Sequence, residues 1–226
     1  MERAAAQLAG VAVTTPLQPC ERLSHATGAR IWLKREDLQI GRSYKVRGAY
    51  NLISGLDAAE RAAGAVCASA GHHGPGMAYA CPCLGVRGRV YVPATTPRQK
   101  RERIRALGGE RVELIIEGDT YDDAAAAAAQ HAEYTGATVV PAFDDLRTIA
   151  GQGTVGVEIV AQLGRAPDVV VVPVGGGGLL AGVATWLRTA HPAVRVVGVE
   201  PAGAAGMAAA VAAGEPVALT ELDTFV

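Results

Sequence analysis

Val169-Val170-Val171-Val172-Pro173-Val174 runs directly into Gly175-Gly176-Gly177-Gly178, and Leu179-Leu180-Ala181-Gly182-Val183 follows at once. An apolar β-branched run, a glycine turn and a Leu/Ala-rich helix start make a strand–turn–helix unit, the building block of layered α/β proteins. Its composition reads as a strand buried on both faces. Four consecutive glycines exceed what a tight turn requires. Without Cβ atoms their N–H groups can converge on an anion, and the helix N-terminus adds partial positive charge, so the turn is a candidate phosphate seat. No Lys-Ser/Thr follows, which separates it from a P-loop, and the glycines lack the spacing of the dinucleotide fingerprint. The alternative is a plain strand-to-helix turn.

Outward from this unit the same alternation continues. Strands are expected at Ile31–Lys34, Ala65–Ser69, Arg89–Val92, Val112–Ile116, Thr138–Val140, Val169–Val174 and Val194–Val199. Helical spacing is expected at Val46–Leu56, Gly74–Leu84, Pro97–Leu107, Tyr121–Thr135, Gly153–Leu163, Leu179–Ala190 and Ala204–Ala213. A parallel sheet with helices on both faces is the packing this order predicts. The alanine run Ala124–Ala129 lies inside one helical pattern and reads as a close-packed or simply composition-biased helix, not a linker. No Pro/Ser-rich linker divides the chain, so a second domain must be an insertion. Residues 60–147 form the expected small inserted unit, with 1–59 and 148–226 as the large one, and a cleft between two lobes is where small-molecule sites usually lie.

The 226 residues carry a net charge of -1 and are half hydrophobic, enough for one substantial core or two modest ones. So little net charge offers no broad basic field for nucleic acid, and Arg98, Arg101, Arg103 and Arg105 read as a solvated helix face. Met1–Ala12 contains Glu2 and Arg3 and no long apolar run, so neither a signal peptide nor a membrane span is expected, and a cytoplasmic location is the default. Cys20, Cys67, Cys81 and Cys83 lack metal-site spacing and read as structural thiols.

Lys45 stands between the polar turn Gly41-Arg42-Ser43 and an apolar helix start, whereas Lys34 and Lys100 read as ordinary surface charges; on position alone Lys45 reads as a surface charge too. Burial or a nearby cation lowers a lysine pKa and leaves the free amine that carbonyl chemistry requires. A lysine able to form a Schiff base and a glycine turn able to hold a phosphate are the two ends of a pyridoxal phosphate site. Ala68-Ser69-Ala70-Gly71-His72-His73-Gly74 also falls between a strand and a helix, where exposed amides and the Ser69 hydroxyl could receive a carboxylate. Adjacent His72 and His73 face different ways and have no evident third ligand, so no metal is expected.

Thr15-Pro16-Leu17, Leu33-Lys34-Arg35-Glu36-Asp37-Leu38-Gln39, Ser43-Tyr44-Lys45-Val46-Arg47-Gly48-Ala49-Tyr50-Asn51, Ser69-Ala70-Gly71, Gly151-Gln152-Gly153-Thr154, the tetraglycine and Gly198-Val199-Glu200-Pro201 occur in that order. In these motifs the chain resembles the fold-type II pyridoxal phosphate enzymes, specifically the threonine/serine ammonia-lyases and their serine racemase relatives, over nearly its whole length. The resemblance implies a tryptophan synthase beta subunit-like α/β fold, with two open parallel-sheet lobes and pyridoxal 5'-phosphate in the cleft. It implies that Lys45 carries the cofactor as a Schiff base and then serves as general base at the substrate Cα. Tyr44, His72, Gly175, Gly176, Gly177, Gly178 and Leu179 are the implied cofactor-binding residues, and Ser69, Ala70, Gly71 and His73 the implied substrate-carboxylate loop. The implied reaction removes water from L-threonine or L-serine and yields a 2-oxo acid and ammonia.

Five departures are visible. Ala70 stands where the racemases have a second serine, which argues for elimination. His72 replaces the family's asparagine, and Pro75 its glutamine. Ala202–Met207 supplies no acid to join Glu200 in a cation site. The family's catalytic domains continue past the position of Val226, so Leu222-Asp223-Thr224-Phe225-Val226 is expected to leave the site open on one side. A truncated non-catalytic or partner-completed homologue, or a pyridoxal phosphate lyase or racemase for another hydroxy amino acid, is the alternative. Relatives of this kind imply a homo-oligomer, a dimer or tetramer, with a small hydroxy amino acid as substrate and no nucleic-acid or membrane partner.

Overall fold

The computed structural model describes residues 1–219 and 223; of the closing run, Leu222, Thr224, Phe225 and Val226 lie outside the described residues. Helix α1 (Glu2–Leu8) leads into an antiparallel pair, β1 (Leu17–Pro19) and β2 (Trp32–Lys34), with α2 (Glu21–Thr27) between them. Two single-turn 3₁₀ helices, Glu36–Leu38 and Ile40–Arg42, bring the chain to α3 (Lys45–Ser54) and α4 (Ala58–Ala63). Then follow β3 (Ala65–Ala68), α5 (His73–Cys83), β4 (Gly88–Val92), α6 (Arg98–Gly108), β5 (Val112–Ile116), α7 (Tyr121–Thr135) and β6 (Thr138–Val139). The chain continues through α8 (Leu146–Leu163), β7 (Val169–Pro173), α9 (Gly178–Ala190), β8 (Arg195–Val199) and α10 (Gly206–Ala213).

Strands β5, β4, β3 and β6 form a parallel sheet in that order, with Ala65 opposite Gly88, Val90 opposite Leu114 and Val66 opposite Val139. The period of two divides its side chains between two cores. Cys67, Val90 and Val92 join Met77 and Cys81 of α5 and Ile104 of α6 on one face. Val66 and Tyr91 meet Ala124 and Ala128 of α7 on the other. The alanine run therefore packs as a close helix: residues four apart present one small-residue ridge to the sheet. Its ends are stopped by a Thr120/Asp123 capping box and by Gly136 in the left-handed region. Burial on both faces also fixes the thiols: it pushes Cys67 well above the ordinary range and Cys81 up to about 12.

The second parallel pair, β7–β8, differs from the expectation of full burial. Val170 and Val172 are covered by α9 through Val183 and Leu187, while Val169, Val171 and Val199 face outward at 47, 63 and 52% exposure. Continuous valine composition cannot reveal which face a neighbouring layer covers, and among the described residues only one face is covered.

Helix α8 begins at Leu146, seven residues before the expected Gly153, and Asp145 caps it through the Arg147 and Thr148 amides. Gly151 and Gly153 argued against helix by propensity. They serve instead as contact points: a Cβ at Gly153 would lie 2.9 Å from the Gly182 carbonyl carbon, and one at Gly182 would overlap the Ile149 carbonyl oxygen. Gly182→Ala should therefore force α8 and α9 apart and destabilise the fold by roughly 1–3 kcal/mol in denaturant unfolding. Strand β1 and helices α1, α2 and α4 were not foreseen, being too short for a periodic signal. No helix among the described residues is long and apolar enough to cross a membrane.

Candidate active site

Lys45 opens α3, and the chain enters it through a kink. Gly41 and Arg42 both adopt the left-handed region, at φ 77° and 64°; Arg42 is the only described non-glycine residue that does so. A non-glycine residue there is strained and is held by its surroundings. Ser43 Oγ then accepts the Lys45 amide at 3.1 Å. Two residues on, Arg47 is buried with 1% of its side chain exposed. It pairs bidentately with Glu36, at 2.9 and 2.8 Å, and with Glu158 of α8, at 2.6 and 2.9 Å. Thr15 Oγ1 donates to Glu36 at 2.6 Å. Lys34 is not a surface charge: its ammonium reaches Glu158, the Thr15 carbonyl and Gln162, and its side chain is only 7% exposed. The alternation in Lys34-Arg35-Glu36-Asp37 sends Lys34 and Glu36 inward, while Arg35 and Asp37 pair with each other nearer solvent.

The half-buried Lys45 amine donates to the Ala142 carbonyl at 2.6 Å and lies 5.3 Å from the Tyr44 ring centroid. Burial lowers its pKa to about 8. Roughly a tenth of such an amine is neutral at pH 7, against well under a thousandth at its ordinary value.

Ala142 belongs to the segment joining β6 to α8. His73 Nε2 bonds the Val140 carbonyl at 2.7 Å; since a carbonyl only accepts, Nε2 carries the proton. Thr148 Oγ1 donates to the Pro141 carbonyl at 3.2 Å. Gln152 Nε2 donates to the Ala142 carbonyl at 3.0 Å, beside Lys45. The Phe143 ring then lies against Gly176, where any Cβ would overlap it. A Cβ at Gly178 would fall 2.6 Å from Gln152 Oε1 and 2.9 Å from the Phe143 carbonyl oxygen. Gly177, at φ 83°, turns the chain into α9. The lysine and the tetraglycine, far apart in sequence, thus meet across Ala142 and Phe143.

The Ser69–His73 loop reaches the same segment. Ser69 Oγ accepts the Gly71 and Gly74 amides at 3.2 and 2.9 Å, shaping the start of α5. Ala70 is exposed and its carbonyl accepts from Lys100 at 3.3 Å, so Lys100 stands at the rim of this loop. His72 is exposed; burial, then the charges of Lys100 and Lys45, lower its pKa. His73 is buried and neutral, pushed down to about 4 by burial, against the Val140 bond and with Lys45 adding to the shift. The Leu179 side chain packs into the α9 core, leaving its backbone amide on the turn side. Glu200 accepts the Met207 and Ala208 amides, capping α10. No cluster of three metal-ligating side chains occurs among the described residues. Two concavities, of about 510 Å³ beside Arg89 and His131 and about 730 Å³ beside Asp123 and Gln130, lie away from Lys45.

Sequence reading missed Ala142 and Phe143, and valued Gln152 only as part of a motif. Backbone carbonyls carry no side-chain signal, and Phe143 was visible only as one of two phenylalanines in the chain.

Comparison with known proteins covers the whole of this region. The chain is 63% identical to the biosynthetic L-threonine dehydratase of Mycobacterium tuberculosis over 226 residues, all of this chain and 53% of that protein. Against the same-named protein of Corynebacterium glutamicum the identity is 53% over 229 residues, all of this chain and 52% of that one. The chain thus spans about half the length of these curated relatives. Tomato (Solanum lycopersicum) threonine deaminase isoform 2 superposes with a TM-score of 0.91 at 42% identity, covering 98% of this chain and 60% of that one. Maize serine racemase gives 0.92 at 30% identity, covering 98 and 66%. The pyridoxal-phosphate dependent enzyme family model matches residues 9–226. With a family match over nearly its full length and a fold shared with these structures, the chain belongs to the pyridoxal-phosphate dependent enzymes.

Proposed function

We propose that this chain contributes the cofactor and substrate site of a threonine/serine ammonia-lyase, which converts L-threonine to 2-oxobutyrate and ammonia, or L-serine to pyruvate and ammonia. The observation that carries this reading is the Lys45 amine, lowered to about 8 by burial and held on a carbonyl whose neighbour packs against the tetraglycine. The residues fit pyridoxal 5'-phosphate. Lys45 offers a primary amine for its aldehyde carbon. Gly175 to Gly178 and the Leu179 amide offer a side-chain-free helix N-terminus for its phosphate. Tyr44 and His72 would flank its ring.

When bound, the cofactor supplies an electron sink that acidifies the substrate Cα–H bond. Lys45 Nζ takes that proton, a role for which an amine titrating near 8 is suited at neutral pH. The Ser69–His73 loop orients the carboxylate. His73 is a fixed neutral wall there, its Nε2 proton committed to Val140. Ala70 has no hydroxyl to return a proton from the opposite face, which supports elimination over racemisation. We also infer a division into residues 1–59 with 148–226 and an inserted 60–147 unit, a homo-oligomeric assembly and a cytoplasmic location. The competing reading, a non-catalytic or partner-completed homologue, draws on the uncovered face of β7–β8.

Incubation with pyridoxal phosphate should produce a visible absorbance band, and borohydride should fix the cofactor to the peptide containing Lys45. Threonine should then yield 2-oxobutyrate, and serine pyruvate, at rates whose ratio ranks the substrates. A band and fixed cofactor without either product would favour the non-catalytic homologue, and absence of both would sink the cofactor reading too.

A further inference from the structure

Gln152 touches both ends of the candidate site. It is fully buried, and its stem packs against α3, since a Cβ at Gly48 would lie 3.1 Å from Gln152 Cγ. Its Nε2 donates to the Ala142 carbonyl at 3.0 Å, the same oxygen that accepts Lys45 Nζ at 2.6 Å. Its Oε1 is buried without a hydrogen-bond partner and lies against Gly178. The amide orientation is settled by the acceptor: reversing it would set two oxygens face to face at Ala142 and forfeit the bond. A buried amide with an unpartnered oxygen is costly, and the bond that Nε2 makes to Ala142 is the one that offsets it.

We propose that Gln152 is a positioning residue for the Lys45 amine: it pins the Ala142 carbonyl and competes with the amine for it, weakening the hold on the protonated form. Two N–H donors on one carbonyl share its lone pairs and oppose each other's partial positive charge. Without Gln152 the whole carbonyl serves the ammonium, and the amine becomes neutral only at higher pH.

The other groups facing Lys45 do not duplicate this effect. From α5 and its loop come neutral His73 and exposed His72, with Lys100 acting beyond His72. Tyr44 adjoins on α3's own entry. Thr148 of α8 is neutral and bound to Pro141. Asp145 is occupied by Arg147 and the α8 amides, Asp144 is exposed, and the α9 start contributes only glycines and Leu179.

The test uses the full chain without cofactor, reductively methylated with formaldehyde and cyanoborohydride across pH 6–10, the Lys45 peptide being quantified by mass spectrometry. Unsubstituted protein should show a midpoint of about 8. Gln152→Met should raise it by roughly half a unit to one unit, slowing labelling below the midpoint about three- to tenfold. Gln152→Glu, which places a carboxylate beside the amine, should raise it further. Thr148→Val, which removes only the neighbouring clamp on Pro141, should leave the midpoint in place. Unmoved midpoints in folded Gln152 variants would overturn the proposal, because a merely structural role alters stability alone. Should the variants fail to fold, the Gln152 side-chain amide resonance in unsubstituted protein decides: it should titrate with the Lys45 midpoint, and a flat response overturns the inference. The catalytic meaning rests on the reading of Lys45 above. That reading fails separately, through absence of cofactor trapping, whatever the midpoint does.

Discussion

Lys45→Ala should abolish borohydride fixation of pyridoxal phosphate and lower 2-oxo acid formation below detection. Loss of the proton-transfer role alone is worth roughly 10²- to 10⁴-fold, and loss of the covalent anchor adds to it. The fold should survive, because Lys45 is only half-buried and its ammonium gives a single described hydrogen bond, to Ala142. Lys100→Ala is the matched control: it removes a lysine at the rim of the Ser69–His73 loop whose single described hydrogen bond is to the Ala70 carbonyl, and fixation at Lys45 should persist. Retained fixation in Lys45→Ala would assign the Schiff base to another lysine.

Arg47→Met should be the most damaging change to the fold. It leaves Glu36 and Glu158, with 12 and 21% of their side chains exposed, without their principal cation. Breaking a buried pair by removing one partner costs about 3–5 kcal/mol. For a chain of this size that is a fall of roughly 6–20 °C in Tm. The pH dependence carries a second signature. Burial pulls the Glu158 carboxyl up, but hydrogen bonds and charge from Arg47 and Lys34 outweigh it and hold the net pKa below the ordinary glutamate value. A carboxyl lowered in the folded state stabilises above its unfolded pKa of about 4.5 and loses that contribution as pH falls through the folded value. Thermal melts should therefore show an acid-side loss below about pH 4.5 in the unsubstituted protein. In Arg47→Met, with burial opposed only by Lys34, that loss should shrink. Equal acid sensitivity in both proteins would remove Arg47 from this role.

These two residues also mark what could be read from the chain. The strand–glycine–helix unit at 169–183 and the β/α alternation from Ala65 to Val139 were legible as elements, because apolar β-branched runs, glycine stops and helical spacing mark where strands and helices fall. Lys45 and the tetraglycine stood out in the sequence as candidates only, and the structure brings both to the segment at Ala142 and Phe143. The buried cluster at Lys34, Glu36, Arg47 and Glu158 was not, because a charged residue in sequence looks solvated until its partners are known. The long start of α8 was hidden by glycines that serve a helix–helix contact. The outward valines of β7 and β8 were misread because composition counts apolar residues without knowing what covers them.

The segment Val140–Ala142 has three consecutive carbonyls held by side chains from three helices, and not by strands. A wall built on a β-ladder changes shape only when strands slide, which disturbs a whole sheet. Here the donors His73, Thr148 and Gln152 sit on α5 and α8, outside every ladder, and Lys45 of α3 joins them on the last carbonyl. The wall is thus anchored to β3 only at its first residue, through the Val140 amide on the Val66 carbonyl, and its shape beyond that point is set by side chains and not by sheet register.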